Sequence, residues 1–510
     1  MRHPNRPSIL AVAIALSIAA GTTAGREPVP PPGGGAAPAA IEGTWQGALG
    51  VQGVELRLVF HVERGEGGAL GGSLDSPDQG AAGIPLSAVT VGEGRARFAV
   101  ASIGGEFEGR IGGDGAVLDG VWRQGGLELP LRLERSAGGL EPPRRPREPP
   151  AEVSYRVEEV AFDSLDEGVR LAGTLTVPAG EGPFPAVVLI SGSGPQDRDE
   201  ALMGHRPFAV LADHLTRGGI AVLRFDDRGV GASTGDFAAA TSEDFADDAE
   251  AAFRWLRARS EVDPAAVGLL GHSEGALLAP LVAAREPAVA FLVLIAAPGV
   301  PGEQLLYRQG ELILRASGAG DAAVRASRRA QEELFAAVRD AEDAAAAERA
   351  ARAVLRRQAE AQGLEGEQLA AVEAQAAQVA SPWFRNVLVH DPAVVLAKVR
   401  CPVLAVWGEK DLQVPPAQSR EPLEAALAAA GNRNVTTRVL PGLNHLLQTA
   451  KTGHPLEYGA IEETMAPAAL ELIGGWVRDA AAAPRAAEPP RRSGDAPAGD
   501  SDDQPPPPAP

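Results

Sequence analysis

Residues 266–284 constrain this chain more than any other stretch. A short apolar run, Ala266-Val267-Gly268-Leu269-Leu270, leads into Gly271-His272-Ser273-Glu274-Gly275, and a small-residue helical pattern, Ala276 to Ala284, leaves it. A strand that enters a Gly-x-Ser-x-Gly turn and exits as a helix places its serine on a sharp corner, with the hydroxyl projecting from the carboxyl edge of a sheet. Glycines flank the serine because neighbouring backbone crowds such a turn. The helix start behind it offers unpaired amide donors and the positive end of a dipole. The same pattern recurs at Gly231-Ala232-Ser233-Thr234-Gly235, but there it follows Asp226-Asp227-Arg228-Gly229 and enters Asp236-Phe237 with no immediate helical run. Context therefore selects Ser273 as the candidate nucleophile and makes Ser233 a loop serine.

The surroundings of that turn read as one large α/β unit, residues 151–482. Alternating runs at Val157–Phe162 and Val169–Val177 predict an antiparallel lead-in. Buried-strand runs follow at Ala186–Ile190, Ile220–Phe225, Ala266–Leu270, Phe291–Ala296, Val403–Trp407 and Val435–Leu440. Helical patterns separate them at Pro207–Arg217, Ser242–Arg259, Glu274–Ala284, Ala417–Ala430 and Ile461–Asp479. Strands alternating with helices predict a mostly parallel sheet with helices on both faces. The rhythm breaks between Ala296 and Pro402, where Ala, Glu, Arg and Gln dominate at near-helical spacing. A helical insertion over about 300–385 is expected there, overhanging the serine as a lid, with Ser381-Pro382-Trp383-Phe384 as an aromatic wall.

Ahead of this unit, residues 41–135 alternate with period two between glycine pairs, as at Val54–Val62, Ala96–Val100 and Leu127–Leu133. They predict a small antiparallel β domain, with Trp45 and Trp122 helping to close a barrel or sandwich. His61 within it reads as structural. Residues 25–40 and 136–150 are Pro-rich linkers, and 483–510 is a Pro/Asp/Gly/Ala tail expected to be disordered.

Residues 1–24 carry Arg2 and Arg6, an apolar core from Ile9 to Ala20 and small residues at Thr22-Thr23-Ala24. That is the pattern of a secretory signal peptide, so a periplasmic or secreted location is expected, with an uncleaved anchor as the alternative. No membrane insertion is expected after signal removal. With 67 Asp plus Glu against 47 Lys plus Arg, and no basic cluster in a folded segment, nucleic acid is not an expected partner. The single cysteine, Cys401, excludes an intramolecular disulfide and reads as a buried small hydrophobe. No CxxC or HExxH pattern occurs, and no metal site is expected.

A serine hydroxyl becomes a nucleophile only when a base removes its proton and an acid orients that base. In a chain of this order both partners follow the serine. Asp411 ends the run Val403–Lys410, and His445 lies just after the strand that ends at Leu440, both at carboxyl ends of strands where active groups collect. Glu409 is the rival acid. His454 is a rival base in a wandering loop. His272 flanks the serine with a side chain expected to point away from the cleft. His214 reads as packing, and His205, at the approach to the first helix, could border the cleft. A developing oxyanion needs two donors: the Glu274 amide and one from Ser191-Gly192-Ser193-Gly194-Pro195, either Ser193 or else Gly192. The charges of Asp226-Asp227-Arg228 are expected to brace these loops.

Five segments together, Ser191 to Asp199, Asp227-Arg228-Gly229-x-Gly231, Gly271 to Gly275, Gly408-Glu409-Lys410-Asp411 and Asn444-His445, resemble the α/β-hydrolase superfamily. The likeness is to its serine aminopeptidase-like and esterase D-type bacterial hydrolases, over about Glu159 to Asp479. The resemblance implies the α/β-hydrolase fold, a Ser273–His445–Asp411 triad, a helical lid, carboxylesterase activity on short acyl esters and no cofactor. Ser191 stands where some relatives have a histidine-containing oxyanion loop. The expected substrate is a small ester. The alternative is an aminopeptidase or small-amide hydrolase on the same triad, in which lid acids or Glu274 hold a substrate ammonium. The β domain lies outside the resemblance, and binding of an envelope glycan or lipid is one reading of it.

Overall fold

The computed structural model describes residues 41–483 other than 52–53, 66–67, 80, 125–126 and 137–144. The signal-like segment 1–24, the linker 25–40, residues 137–144 of the second linker and the tail from 484 lie outside the described residues. Among the described residues no helix is long and apolar enough to cross a membrane.

The first unit holds nine strands: β1 Gly43–Val51, β2 Val54–Arg64, β3 Leu70–Ser76, β4 Ala81–Pro85, β5 Ala88–Gly92, β6 Arg95–Val100, β7 Gly105–Ile111, β8 Val117–Gln124 and β9 Leu127–Ser136. They form one antiparallel sheet in the order β4-β3-β2-β1-β9-β8-β7-β6-β5. Alternation sets its two faces. On β6, Ala96, Phe98 and Val100 are buried, whereas Arg95 and Arg97 face solvent and pair with Glu108 and Glu106 of β7. The inward set fills a single core, in which Phe60 lies 5.2 Å from Phe98, 6.2 Å from Phe107 and 6.0 Å from Trp122 between ring centroids. Trp45 joins it from β1, so both tryptophans serve one curled sheet rather than two stacked ones. His61 sits at the surface beside Asp75, Nε2 to Oδ2 2.8 Å.

The second unit is an eight-stranded sheet in the order β10-β11-β13-β12-β14-β15-β16-β17. Its strands are β10 Arg156–Asp163, β11 Arg170–Val177, β12 Phe184–Ile190, β13 Ala221–Phe225, β14 Val262–His272, β15 Leu292–Ile295, β16 Val403–Gly408 and β17 Val435–Leu440. β11 runs antiparallel to both neighbours, and in sheet order the strands from β13 onward are parallel. Helices cover both faces, so the central strands are buried throughout; every residue of β15 and β16 is buried.

Between β15 and β16 the chain makes only helices, from Gly302–Ala316 to Pro392–Leu396, so the insertion runs past the expected end at 385. The last helix begins at Pro467 rather than Ile461. Proline suits the first helical turn because it has no N–H to leave unpaired, and residues 455–460 form a separate 3-10 turn. Cys401 is half-buried rather than fully enclosed.

The two units touch at Gly459, where a Cβ would stand 1.2 Å from the backbone oxygen of Asp78. Beside that contact, the Arg145 guanidinium donates to the carbonyl oxygens of Ile461 (2.7 Å), Gly459 (2.9 Å), Met203 (3.2 Å) and Gly204 (3.2 Å).

Candidate active site

Ser273 follows β14 and holds φ at +54°, the left-handed region that disfavours any side chain. Its amide is fixed to the Ile295 carbonyl at 2.9 Å. A Cβ on Gly271 would lie 2.0 Å from the Gly275 oxygen, and one on Gly275 would lie 2.1 Å from the Ile190 oxygen. The turn therefore closes only with glycine at both positions. The helix Gly275–Arg285 starts immediately behind it.

The candidate acid and base, Asp411 and His445, follow β16 and β17. Asp411 is 2 % exposed. Its Oδ1 accepts from the Gln413 and Val414 amides, both at 2.8 Å, and its Oδ2 faces His445 Nδ1 at 2.8 Å. Two backbone donors fix the carboxylate, and the carboxylate fixes the ring, which leaves Nε2 as the nitrogen open to a serine hydroxyl. Glu409 is exposed and turns away to accept from the Gly442 amide at 2.9 Å, joining the acid's turn to the histidine's loop. Asn444 shapes that loop by accepting from the Leu446 and Gln448 amides. Among the described residues no hydrogen bond joins Ser273 Oγ to His445; such bonds commonly tighten only when substrate is bound.

The loop after β12 lies against the serine turn, Gly192 facing His272. Among the described residues the Glu274 and Ser193 amides have no intramolecular acceptor. Gly192 corrects the sequence reading: its N–H is directed to Glu200 Oε1 at 2.7 Å and is not offered to a substrate. The loop is braced by Asp227, which accepts from Ser191 Oγ and the Gln196 amide, both at 2.8 Å. Burial pushes the Asp227 carboxyl well above the usual range despite those donors. Arg228 pairs with Asp248 and Asp166, each at 2.7 Å, and Arg198 with Asp226 at 2.8 Å, so these charges hold loops together.

Ser233 is buried, donates to the Asp226 carbonyl at 2.8 Å and accepts from the Ala172 amide at 2.9 Å, which leaves it no nucleophilic role. His205 does not border the cleft: it is fully buried between Thr464 and the Tyr458 carbonyl, and burial lowers its pKa to about 4. His454 caps the 455–460 turn and contacts Ser317 at 3.1 Å. His214 packs at Gly474. His272 lies beneath the site, its ring 4.8 Å from that of His445.

Two residues of the site, Glu200 and Trp383, carry no local sequence signal for their contacts. Glu200 is indistinguishable in the sequence from its acidic neighbours Asp197 and Asp199. The lid's Trp383, expected only as a wall, donates its indole N–H to Glu274 Oε1 at 2.7 Å, and Ser242 Oγ donates to the same oxygen at 3.0 Å. Burial raises the Glu274 carboxyl to about 6 against those two bonds. A narrow cleft of about 20 Å³, lined by Gly192, Gly194, Phe237, Phe245, Glu274 and Leu278 among others, opens beside the loop.

A lone antiparallel second strand, a strained serine after β14 and an Asp–His pair after the later strands are the arrangement of the α/β-hydrolase fold. Residues 205–451 match the family described as serine aminopeptidase, S33. It is 28 % identical over 309 residues to esterase EstD of Thermotoga maritima, covering 60 % of this chain and 66 % of that protein. An uncharacterised protein of Mycobacterium tuberculosis is 34 % identical over 136 residues, 26 % of this chain and 44 % of its own length. The chain thus spans less than two thirds of these relatives. A solved esterase of Pyrococcus furiosus is similar at 15 % identity and a TM-score of 0.39, covering 64 % of this chain and 92 % of that one.

Proposed function

We propose that this protein hydrolyses short-chain carboxylic esters through an acyl-enzyme on Ser273. The observation that carries the reading is the buried His445–Asp411 bond of 2.8 Å, on loops beside a serine held in a strained turn. His445 Nε2 accepts the Ser273 proton as the oxygen attacks the ester carbonyl carbon. The amides of Glu274 and Ser193 receive the developing oxyanion. Collapse expels the alcohol, which takes its proton from His445, and water then repeats the sequence on the acyl-enzyme. The similarity to EstD supports an ester substrate. Peptide-amine substrates are less well served: the Glu274 carboxyl is already engaged by Trp383 and Ser242. The segment 1–24 supports export from the cytoplasm.

The test is hydrolysis of p-nitrophenyl acetate, butyrate and longer esters against matched amides, in the wild type and Ser273→Ala. Activity on the short esters should be lost in the variant. Full retention there, or faster amide than ester turnover, ends this reading.

A further inference from the structure

His272 receives more from its surroundings than a packing residue needs. It is 7 % exposed, and Glu200 is 5 % exposed. His272 Nδ1 lies 2.8 Å from Glu200 Oε1, and Nε2 lies 3.1 Å from the backbone oxygen of His445. Glu200 Oε1 also accepts the Gly192 amide at 2.7 Å. A carboxylate and a carbonyl oxygen only accept, and a neutral imidazole carries one N–H. Both bonds form together only if both ring nitrogens are protonated.

We propose that His272 is an imidazolium strut, donating one N–H to Glu200 and the other to the His445 carbonyl, so that the oxyanion loop and the base-bearing loop are positioned by one cation. This rests on the proposed roles of Ser273 and His445, and it makes Glu200 and His272 positioning residues. The charged or titratable groups that face His272 are Glu200 from the oxyanion loop, and His445 and Asp411 from the two loops after β16 and β17. Burial alone would lower the His272 pKa, but the Glu200 carboxylate and the His445 carbonyl outweigh it and the pKa is raised. As pH rises through that value one bond is lost and the loops uncouple. Glu200 holds φ at +53°, strain consistent with a loop bent to deliver this carboxylate.

The experiment measures labelling of Ser273 by a fluorophosphonate, and kcat and KM for p-nitrophenyl butyrate, from pH 5 to 10. The proteins are the wild type, Glu200→Gln and His272→Gln, each checked by thermal melting. The Glu200→Gln variant keeps an acceptor for the Gly192 amide and removes only the counter-charge. The labelling rate and kcat should fall on the order of 10²-fold with little change in KM, the size expected for a displaced catalytic geometry. The alkaline limb of Glu200→Gln should lie at lower pH than that of the wild type, and His272→Gln should lack it. A merely structural role would lower the melting point and leave the limb in place. Normal wild-type labelling with superimposable pH profiles in both variants overturns the strut alone. No label on wild-type Ser273 overturns the serine-hydrolase reading and the strut with it.

Discussion

Trp383 of the lid donates its indole N–H to Glu274 at 2.7 Å, and Glu274 is the residue whose amide stands next to Ser273. The helical insertion is thus fastened to the turn that carries Ser273, through a carboxyl that burial raises to about 6. A carboxyl whose folded pKa exceeds its unfolded value contributes stability that is complete below about 4.5 and is lost as pH rises through about 6. Glu274→Gln, which keeps an oxygen for Trp383 and Ser242, should therefore be more stable than the wild type at pH 8, by about 2 kcal/mol. The difference should vanish towards pH 4. Melting curves at the two pH values decide it; an equal or lower melting point at pH 8 would remove the argument.

His205 works with the opposite sign. It is neutral in the fold, with a pKa of about 4 set by burial, and protonates more readily once unfolded. Its contribution is present above about 6.5 and is lost as pH falls from there towards 4, to a total of about 3 kcal/mol. His205→Gln should show a smaller loss of melting temperature between pH 7 and pH 5 than the wild type. Parallel curves would show that other groups govern acid sensitivity.

The left-handed φ of Ser273 predicts a trade between stability and chemistry. Ser273→Ala and Ser273→Gly both lack the hydroxyl, and only glycine relieves the backbone. The left-handed region costs a side chain about 1–2 kcal/mol, and glycine's extra freedom when unfolded returns part of that. Ser273→Gly should melt higher than Ser273→Ala, and both should be inactive.

Gly459 tests the junction of the two units. Its missing side chain admits the Asp78 carbonyl, which a Cβ would meet at 1.2 Å. The adjoining Tyr458 is fully buried, and its hydroxyl accepts from Gln413, whose own amide donates to Asp411. Gly459→Ala should enlarge the radius of gyration in solution scattering and reduce kcat. An unchanged radius would show that the junction absorbs a methyl group.

The central sheet is legible in the sequence because parallel strands buried on both faces spell continuous apolar runs, as in Ala186–Ile190 and Val403–Trp407, whereas the expectation of a buried strand at Val435–Leu440 fails because that strand lies at the sheet edge with Arg438 exposed. Asp411 stands out because it follows such a run, and His445 because it lies just after the next strand, Val435–Leu440. Local spacing cannot assign the Gly192 amide, whose direction depends on a carboxylate delivered by a positive φ at Glu200. Nor can it join Trp383 to Glu274, 109 positions away in the chain. The start of the last helix is obscured for a local reason: Pro467 marks it, and residues 461–466 before it form an irregular connection from the 3-10 turn that ends at Ala460.

Arg145 gives its guanidinium to four carbonyl oxygens drawn from two separate loops of the second unit. A gene that discarded the leading module together with this residue would inherit four acceptors without their donor, and a gap where Asp78 rests on Gly459. The halves are therefore matched parts, to be exchanged between chains only with compensating changes on both sides of the seam.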